Sequence, residues 1–314
     1  MQNIKYTELV FKLKFLENTF LPKHKVLMLN GALLKVLLNL YCINDKECST
    51  CKIFSRCFIQ KLLGNRYQAN KPLILQSSSI QPYYLIECNH KGTSFNQDQE
   101  LIFKIRLLDK AIDYVSQFIY VFEQLSNIGI GKNRSKYQLI GIYNNKKMPI
   151  FEDGIFFEDN ISIEYIWDYI GHRRSPVGDR VTLVFVTPFV MSNISLNPLI
   201  NMHNFCYSIE NRFKSLNILE EEDVRLLAAF EADNIINNYD LNIIKSQYPM
   251  EKLQKRKVII GYKGKIDFIL KRQDFIDYLI ACEKLSIGSH ILLGYGRFII
   301  KGGQPNATTS ANTD

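Results

Sequence analysis

The chain has 314 residues, 46% hydrophobic and 22% charged, enough for one large domain or two ordinary ones. No apolar run reaches membrane-spanning length, and the start MQNIKYTELVFKLKF has no cleavage-site pattern, so the expectation is a cytoplasmic protein with no membrane partner. A net charge of +8 and a pI near 9.0 favour an anionic partner, nucleic acid first, over a merely soluble basic protein.

In ELVFKLKFL, Leu9, Phe11, Leu13 and Phe15 alternate with other residues and share one face, as in a half-buried strand. A loop with Pro22 and His24 follows, then a short apolar helix over 31–42. Extended segments come next at 82–87 and 99–107, the second with Leu101, Phe103, Ile105 and Leu107 alternating. Ile112, Val115, Ile119, Phe122 and Leu125 recur at helical spacing, Gly129 and Gly131 break that helix, and SKYQLIGIY is a strand.

The second half repeats the order. RVTLVFVTPF (180–189) is a strand ended by Pro188, and helices follow near 205–216 and 223–236. KVIIGYKGKIDFIL (257–270) reads as a hairpin turning at Tyr262 and Lys263 between Gly261 and Gly264. RQDFIDYLIACEKL is a helix, and YGRFIIK closes as a strand. The fold class is therefore α+β, with two tandem ferredoxin-like, RRM-like βαββαβ domains and a Cys-rich insertion in the first. The expected limits are a first domain at 1–162 with its insertion at about 42–80, an interdomain segment at 163–179, a second domain at 180–301 and a disordered tail at 302–314.

Cys42, Cys48, Cys51 and Cys57 stand at spacing C-x5-C-x2-C-x5-C. Four thiolates complete a tetrahedral site for structural zinc, the first expectation, or ligate an iron–sulfur cluster, the second. Four unligated thiols in an apolar insertion is the remaining reading. Cys88, Cys206 and Cys282 lie in apolar runs and read as core. The Walker pattern, the G-x-S-x-G elbow and H-E-x-x-H are all missing from the sequence.

The stretch KLSIGSHILLGYGRFIIKGG places a G-x5-G-x-G loop, Gly288, Gly294 and Gly296, between the last helix and the last strand. With LPKHKVLMLNGALLKVLLNLYC, GIGKNRSKYQL, VTLVFVTPF, IENRFKSL and VIIGYKG in this order, the chain resembles the RAMP superfamily of CRISPR-associated proteins. Within it, the resemblance is to the endoribonuclease that cuts precursor CRISPR RNA within its repeats. It implies RNA contact by the loop residues Gly288, Ser289, His290, Gly294, Gly296, Arg297 and Lys301, and by the basic run His172, Arg173 and Arg174. The blander alternatives are glycines that serve chain geometry alone and a solvated charge run.

Such enzymes need no metal cofactor: the RNA 2′-hydroxyl attacks the adjacent phosphate, and the protein moves protons and stabilises charge. In relatives the catalytic histidine lies on the first helix or in the loop before it. That points to His24, with Lys35, which stands where many relatives carry the histidine, as charge stabiliser. The departure at Lys35 keeps open a non-catalytic RAMP subunit that binds guide RNA beside other CRISPR effector subunits. A general RNA-binding module is a third reading, but it leaves the ordered motifs unexplained.

Overall fold

Leu9, Phe11, Leu13 and Phe15 are each 0% exposed in the computed structural model, which describes residues 1–174, 180–191, 200–233, 236–250 and 254–302. They lie on β1 (Lys5–Phe15), followed by β2 (Thr19–Phe20) and α1 (Lys25–Tyr41). The helix begins six residues earlier than the sequence reading put it. KVLMLN continues the helical pattern, with Leu29 and Asn30 buried one turn before Leu33 and Leu34. Between α1 and the next long strands, the chain passes through two 3-10 turns, α2 (Phe58–Leu62) and α3 (Leu73–Gln76). Then come β3 (Tyr84–Glu87), β4 (Ser94–Phe95), β5 (Glu100–Leu108), α4 (Val115–Ile128), β6 (Tyr137–Tyr143), β7 (Pro149–Glu152), β8 (Ile155–Phe156) and β9 (Glu164–Tyr165).

The first sheet runs β3-β5-β1-β6-β7-β8, with β9 added on β1. Its first four strands are antiparallel in the ferredoxin-like order. Register follows from the buried face. Phe11 lies opposite Phe103 with rings stacked at 5.0 Å, and Phe122 of α4 closes over Phe11 at 4.8 Å.

The second half contains α5 (Ile166–Arg173), β10 (Arg180–Phe185), α6 (Met202–Ser215), α7 (Glu221–Asp233), β11 (Ile236–Met250), β12 (Lys255–Ile269), α8 (Phe275–Leu285) and β13 (Phe298–Gly302). Its sheet order, β11-β12-β10-β13, repeats the same topology. The fold is thus α+β with tandem ferredoxin-like sheets. The buried side chains of both halves run together into one cluster, so the sheets share apolar surface where they meet. Residues 303–314, on which most of the tail expectation falls, and 175–179 of the interdomain segment lie outside the described residues.

The hairpin at 257–270 is a correction. Tyr262 and Lys263 sit in the middle of the 15-residue β12, paired to Ile243 and Asn242 of β11. Gly261 marks a close approach rather than a turn: a Cβ there would stand 3.0 Å from the Phe189 carbonyl oxygen and from Pro188 Cβ.

Asn30 ties the halves together. Fully buried on α1, it donates from Nδ2 to the Leu292 carbonyl at 2.7 Å and accepts from the Tyr84 hydroxyl at 2.8 Å. Asn30→Leu strands both partners in a dry contact, and urea unfolding should show a loss of about 3 kcal/mol. A loss below about 1 kcal/mol would mean that neither bond matters to the docking.

Candidate nucleic-acid interface

Three elements distant in sequence meet at the start of α1. His24 is its N-cap residue, with φ −90° and ψ 73°, and its side chain makes no capping bond. The imidazole leans instead on the ring of Tyr248 in β11, with centroids 4.8 Å apart. The Tyr248 hydroxyl hydrogen-bonds that of Tyr295 at 2.7 Å, and Tyr295 stands between Gly294 and Gly296 in the loop after α8. Lys257 is the cross-strand partner of Tyr248, so the two side chains share a face of the hairpin. Exposed Lys255 continues the positive charge along that face, while exposed Lys245 and Arg256 lie on the opposite one.

Protonation states follow from burial and these neighbours. Burial, then Lys23 and Lys25, pushes the His24 pKa below the usual histidine value, so its imidazole is neutral near pH 7 and able to accept a proton. His290 is pushed down to about 4 by burial and by Lys257. Burial and Tyr295 hold the Tyr248 phenol well above its ordinary range, which keeps it a hydrogen-bond donor. Lys25 is buried and donates to the Gly92 carbonyl at 2.5 Å, holding the 88–95 loop rather than facing solvent.

On another side of the contact, strands β1, β3 and β5 face α8 and the approach to β13 across a charged cleft. Glu8 is its hub, 2.7 Å from Arg106, 2.8 Å from Lys104 and 3.1 Å from Lys284. Glu87 joins Arg106 at 3.0 Å and Arg297 at 2.8 Å. Burial opposes ionisation of Glu8, but Arg106, Lys284 and Lys104 outweigh it and hold the carboxyl well below the usual carboxylate range. The charged lining is Glu8, Glu87 and Glu283 against Lys104, Arg106, Arg173, Lys284 and Arg297, three negative and five positive, so the cleft is net basic. Arg212, fully buried on α6, donates to the last carbonyl of α8, Leu285, at 3.0 Å and anchors the base of the glycine loop.

The residues expected at the site divide sharply. His24, at the start of α1, and Lys35, exposed on the same helix, do not come together, because eleven residues of helix separate them by about 16 Å. Ser289 and His290 are buried against the first half, where His290 Nδ1 and Ser77 Oγ share a 2.7 Å hydrogen bond and Ser289 Oγ reaches the Ser78 carbonyl at 3.4 Å. Gly288, Gly294 and Gly296 have positive φ and belong to the same packed loop. Arg297 lines the charged cleft, and Lys301 is exposed on β13.

His172, Arg173 and Arg174 end α5. His172 Nδ1 binds the Asp168 carbonyl, Arg173 pairs with Glu283 at 3.3 Å, and Arg174 pairs with Asp277 at 3.4 Å, both carboxylates on α8. Cys42, Cys48, Cys51 and Cys57 line a separate hollow near the far end of α1. Sequence reasoning missed Tyr248, Lys257, Glu8, Glu87 and Lys284 as site residues. Only the alternating Lys104 and Arg106 gave any signal, as charges spaced on one strand face.

Two antiparallel sheets of like topology, with a glycine loop before the last strand of the second, give this chain the fold of solved Cas6 structures. A Cas6 product complex superposes with a TM-score of 0.57 at 15% identity, covering 94% of this chain and 100% of that one. Thermus thermophilus Cas6 gives a TM-score of 0.51 at 15% identity, covering 96% and 100%. A partial Cas6-RT-Cas1–Cas2 complex gives 0.53 at 11% identity, covering 96% of this chain and 46% of that one. The chain belongs to the AF_1859_N family, whose model, described as an N-terminal domain, matches residues 4–162. No curated protein matches the sequence. Among the described residues, no helix is long and apolar enough to cross a membrane.

Proposed function

We propose that this protein is a metal-independent endoribonuclease that binds CRISPR repeat RNA against the basic contact between its halves and cuts it. The observation that carries this reading is the Cas6 fold, matched over nearly the whole chain and the whole of a Cas6 product complex. His24 takes the proton of a ribose 2′-hydroxyl, the 2′ oxygen bonds to the adjacent phosphorus, and the bond to the 5′ oxygen breaks. The imidazolium then returns the proton to that 5′ oxygen, leaving a 2′,3′-cyclic phosphate and a 5′-hydroxyl. Lys257 and Lys23, rather than Lys35, face the phosphorane charge. The neutral state of His24 and its place beside Tyr248 support this assignment.

A second reading, a non-catalytic subunit that retains guide RNA beside other CRISPR effector proteins, is favoured by one observation: α1 itself carries no histidine from Lys25 to Tyr41. Incubation with repeat RNA in EDTA separates the two. Cleavage with cyclic-phosphate ends supports the enzyme, and tight binding with intact RNA supports the subunit. In the first case His24→Ala should slow single-turnover cleavage by about 10²- to 10⁴-fold with RNA affinity little changed. Undiminished cleavage would remove His24 from the mechanism.

A further inference from the structure

Cys42 caps the end of α1, Cys48 opens the first 3-10 turn and Cys51 follows it, and Cys57 sits between the second 3-10 turn and α2. All four line one hollow whose other walls include Ile53, Phe54, Ile59 and Tyr67. Its volume is about 400 Å³, the open mouth included. None of the four is in a disulfide.

Backbone and amide donors point at the sulfurs. The Lys46 N–H reaches Cys42 Sγ at 3.3 Å, the Ala69 N–H reaches Cys48 Sγ at 3.4 Å, and Gln60 Nε2 lies 3.6 Å from Cys48 Sγ. The first contact is delivered by two consecutive left-handed residues, Asp45 at φ 44° and Lys46 at φ 70°. A neutral thiol is a weak acceptor, whereas N–H groups aimed at cysteine sulfur stabilise metal-bound thiolate.

The spacing of the sulfurs decides what they hold. A single zinc at 2.3 Å from each ligand would draw the four sulfurs to within about 3.8 Å of one another. Among the described residues, no three Cys, His, Asp or Glu side chains stand close enough to hold one ion. The four thiols line one common, apolar-walled hollow. We propose that this hollow binds a four-iron iron–sulfur cluster through the thiolates of Cys42, Cys48, Cys51 and Cys57, each losing its proton on ligation.

The cluster staples the segment between α1 and β3. Ala69, Ser77 and Ser78 lie in that segment, so it also supports the buried contacts to His290 and Ser289 in the glycine loop. The proposal stands apart from the RNA reading, and its test needs no RNA.

The full chain is purified without oxygen, supplied with ferric iron, sulfide and a thiol reductant, desalted, and assayed for iron, acid-labile sulfide and zinc. About four iron and four sulfide per chain are expected, with visible thiolate-to-iron charge-transfer absorption. Cys51→Ser should lower bound iron and sulfide severalfold, and Cys88→Ser should leave both unchanged. Stoichiometric zinc without sulfide overturns the cluster in favour of a single ion. A folded, metal-free chain whose four thiols all react with a thiol reagent overturns any metal centre here.

Discussion

Gly296→Ala lowers the thermal midpoint by about 3–6 °C, whereas Gly294→Ala, two residues earlier, lowers it by half as much or less. Both glycines have positive φ, 78° and 84°, so an alanine pays similar backbone strain at each, about 1 kcal/mol. Their surroundings differ. A Cβ on Gly296 would stand 1.8 Å from the Ile287 carbonyl oxygen, while one on Gly294 meets only the side chain of Val26, at 3.2 Å. Nor can the loop backbone step aside at Gly296. Its N–H donates to the Pro188 carbonyl at 3.0 Å, and its own carbonyl accepts from the Ile287 N–H at 3.0 Å. The clash therefore adds about 1–3 kcal/mol to the strain at Gly296. Gly31, exposed within α1 with nothing within 4 Å of a new Cβ, gives the opposite sign: Gly31→Ala stabilises by about 0.5–1 kcal/mol. Differential scanning calorimetry on the three variants checks the order. Equal losses at 294 and 296 would show that the close approach to Ile287 is not what selects glycine.

The tandem topology was legible because the first sheet has a buried face and an exposed one. Leu9 to Phe15 and Leu101 to Leu107 carry a strict period of two, and Gly129 ends α4 with φ 85°. β11 was illegible for the converse reason. INNYDLNIIKSQYPM is mostly solvent-facing, rich in Asn and Asp, and extended because β12 pairs with it along its length. Without β11, the glycines of β12 looked like a turn, and misplacing that turn hid the site. Tyr248 and Lys257 become neighbours only once the true register is known, and only then does His24 acquire a tyrosine beside it. Fold-level resemblance located His24. It also suggested Lys35, which helix rise places three turns away. The ion network shows the same limit: Glu8 and Arg106 are direct cross-strand partners, but 98 positions separate them and nothing local in the sequence pairs them. For the cysteines, the spacing was legible, whereas the hollow they line was not, because spacing fixes order along the chain and not the distance between sulfurs.

Arg106→Met costs about 3–5 kcal/mol at neutral pH, and this loss shrinks in acid. The guanidinium is buried, donates from Nε to Glu8 Oε1 at 2.8 Å, pairs with Glu87 at 3.0 Å and donates to the Lys284 carbonyl at 2.6 Å across the halves. Methionine fills much of the volume but leaves two poorly solvated carboxylates with fewer cations and the end of α8 without its donor. Lys104 and Lys284 still neutralise Glu8, and Arg297 still neutralises Glu87, so the loss stays within the range for breaking one arm of a buried network. The pH dependence follows from the direction of the Glu8 shift. Its folded pKa lies below the unfolded value of about 4.3, so its stabilisation is present above that value and is lost as pH falls through the folded pKa. Arg106 is the largest of the three cations that lower it, so the variant has less of this stabilisation to lose. The wild-type advantage should be constant from pH 7 to about pH 5 and narrow steadily below about pH 4. Urea unfolding of both proteins at pH 7, 5 and 3.5 measures it, and an undiminished gap at pH 3.5 would assign the cost to lost packing rather than to the ion network.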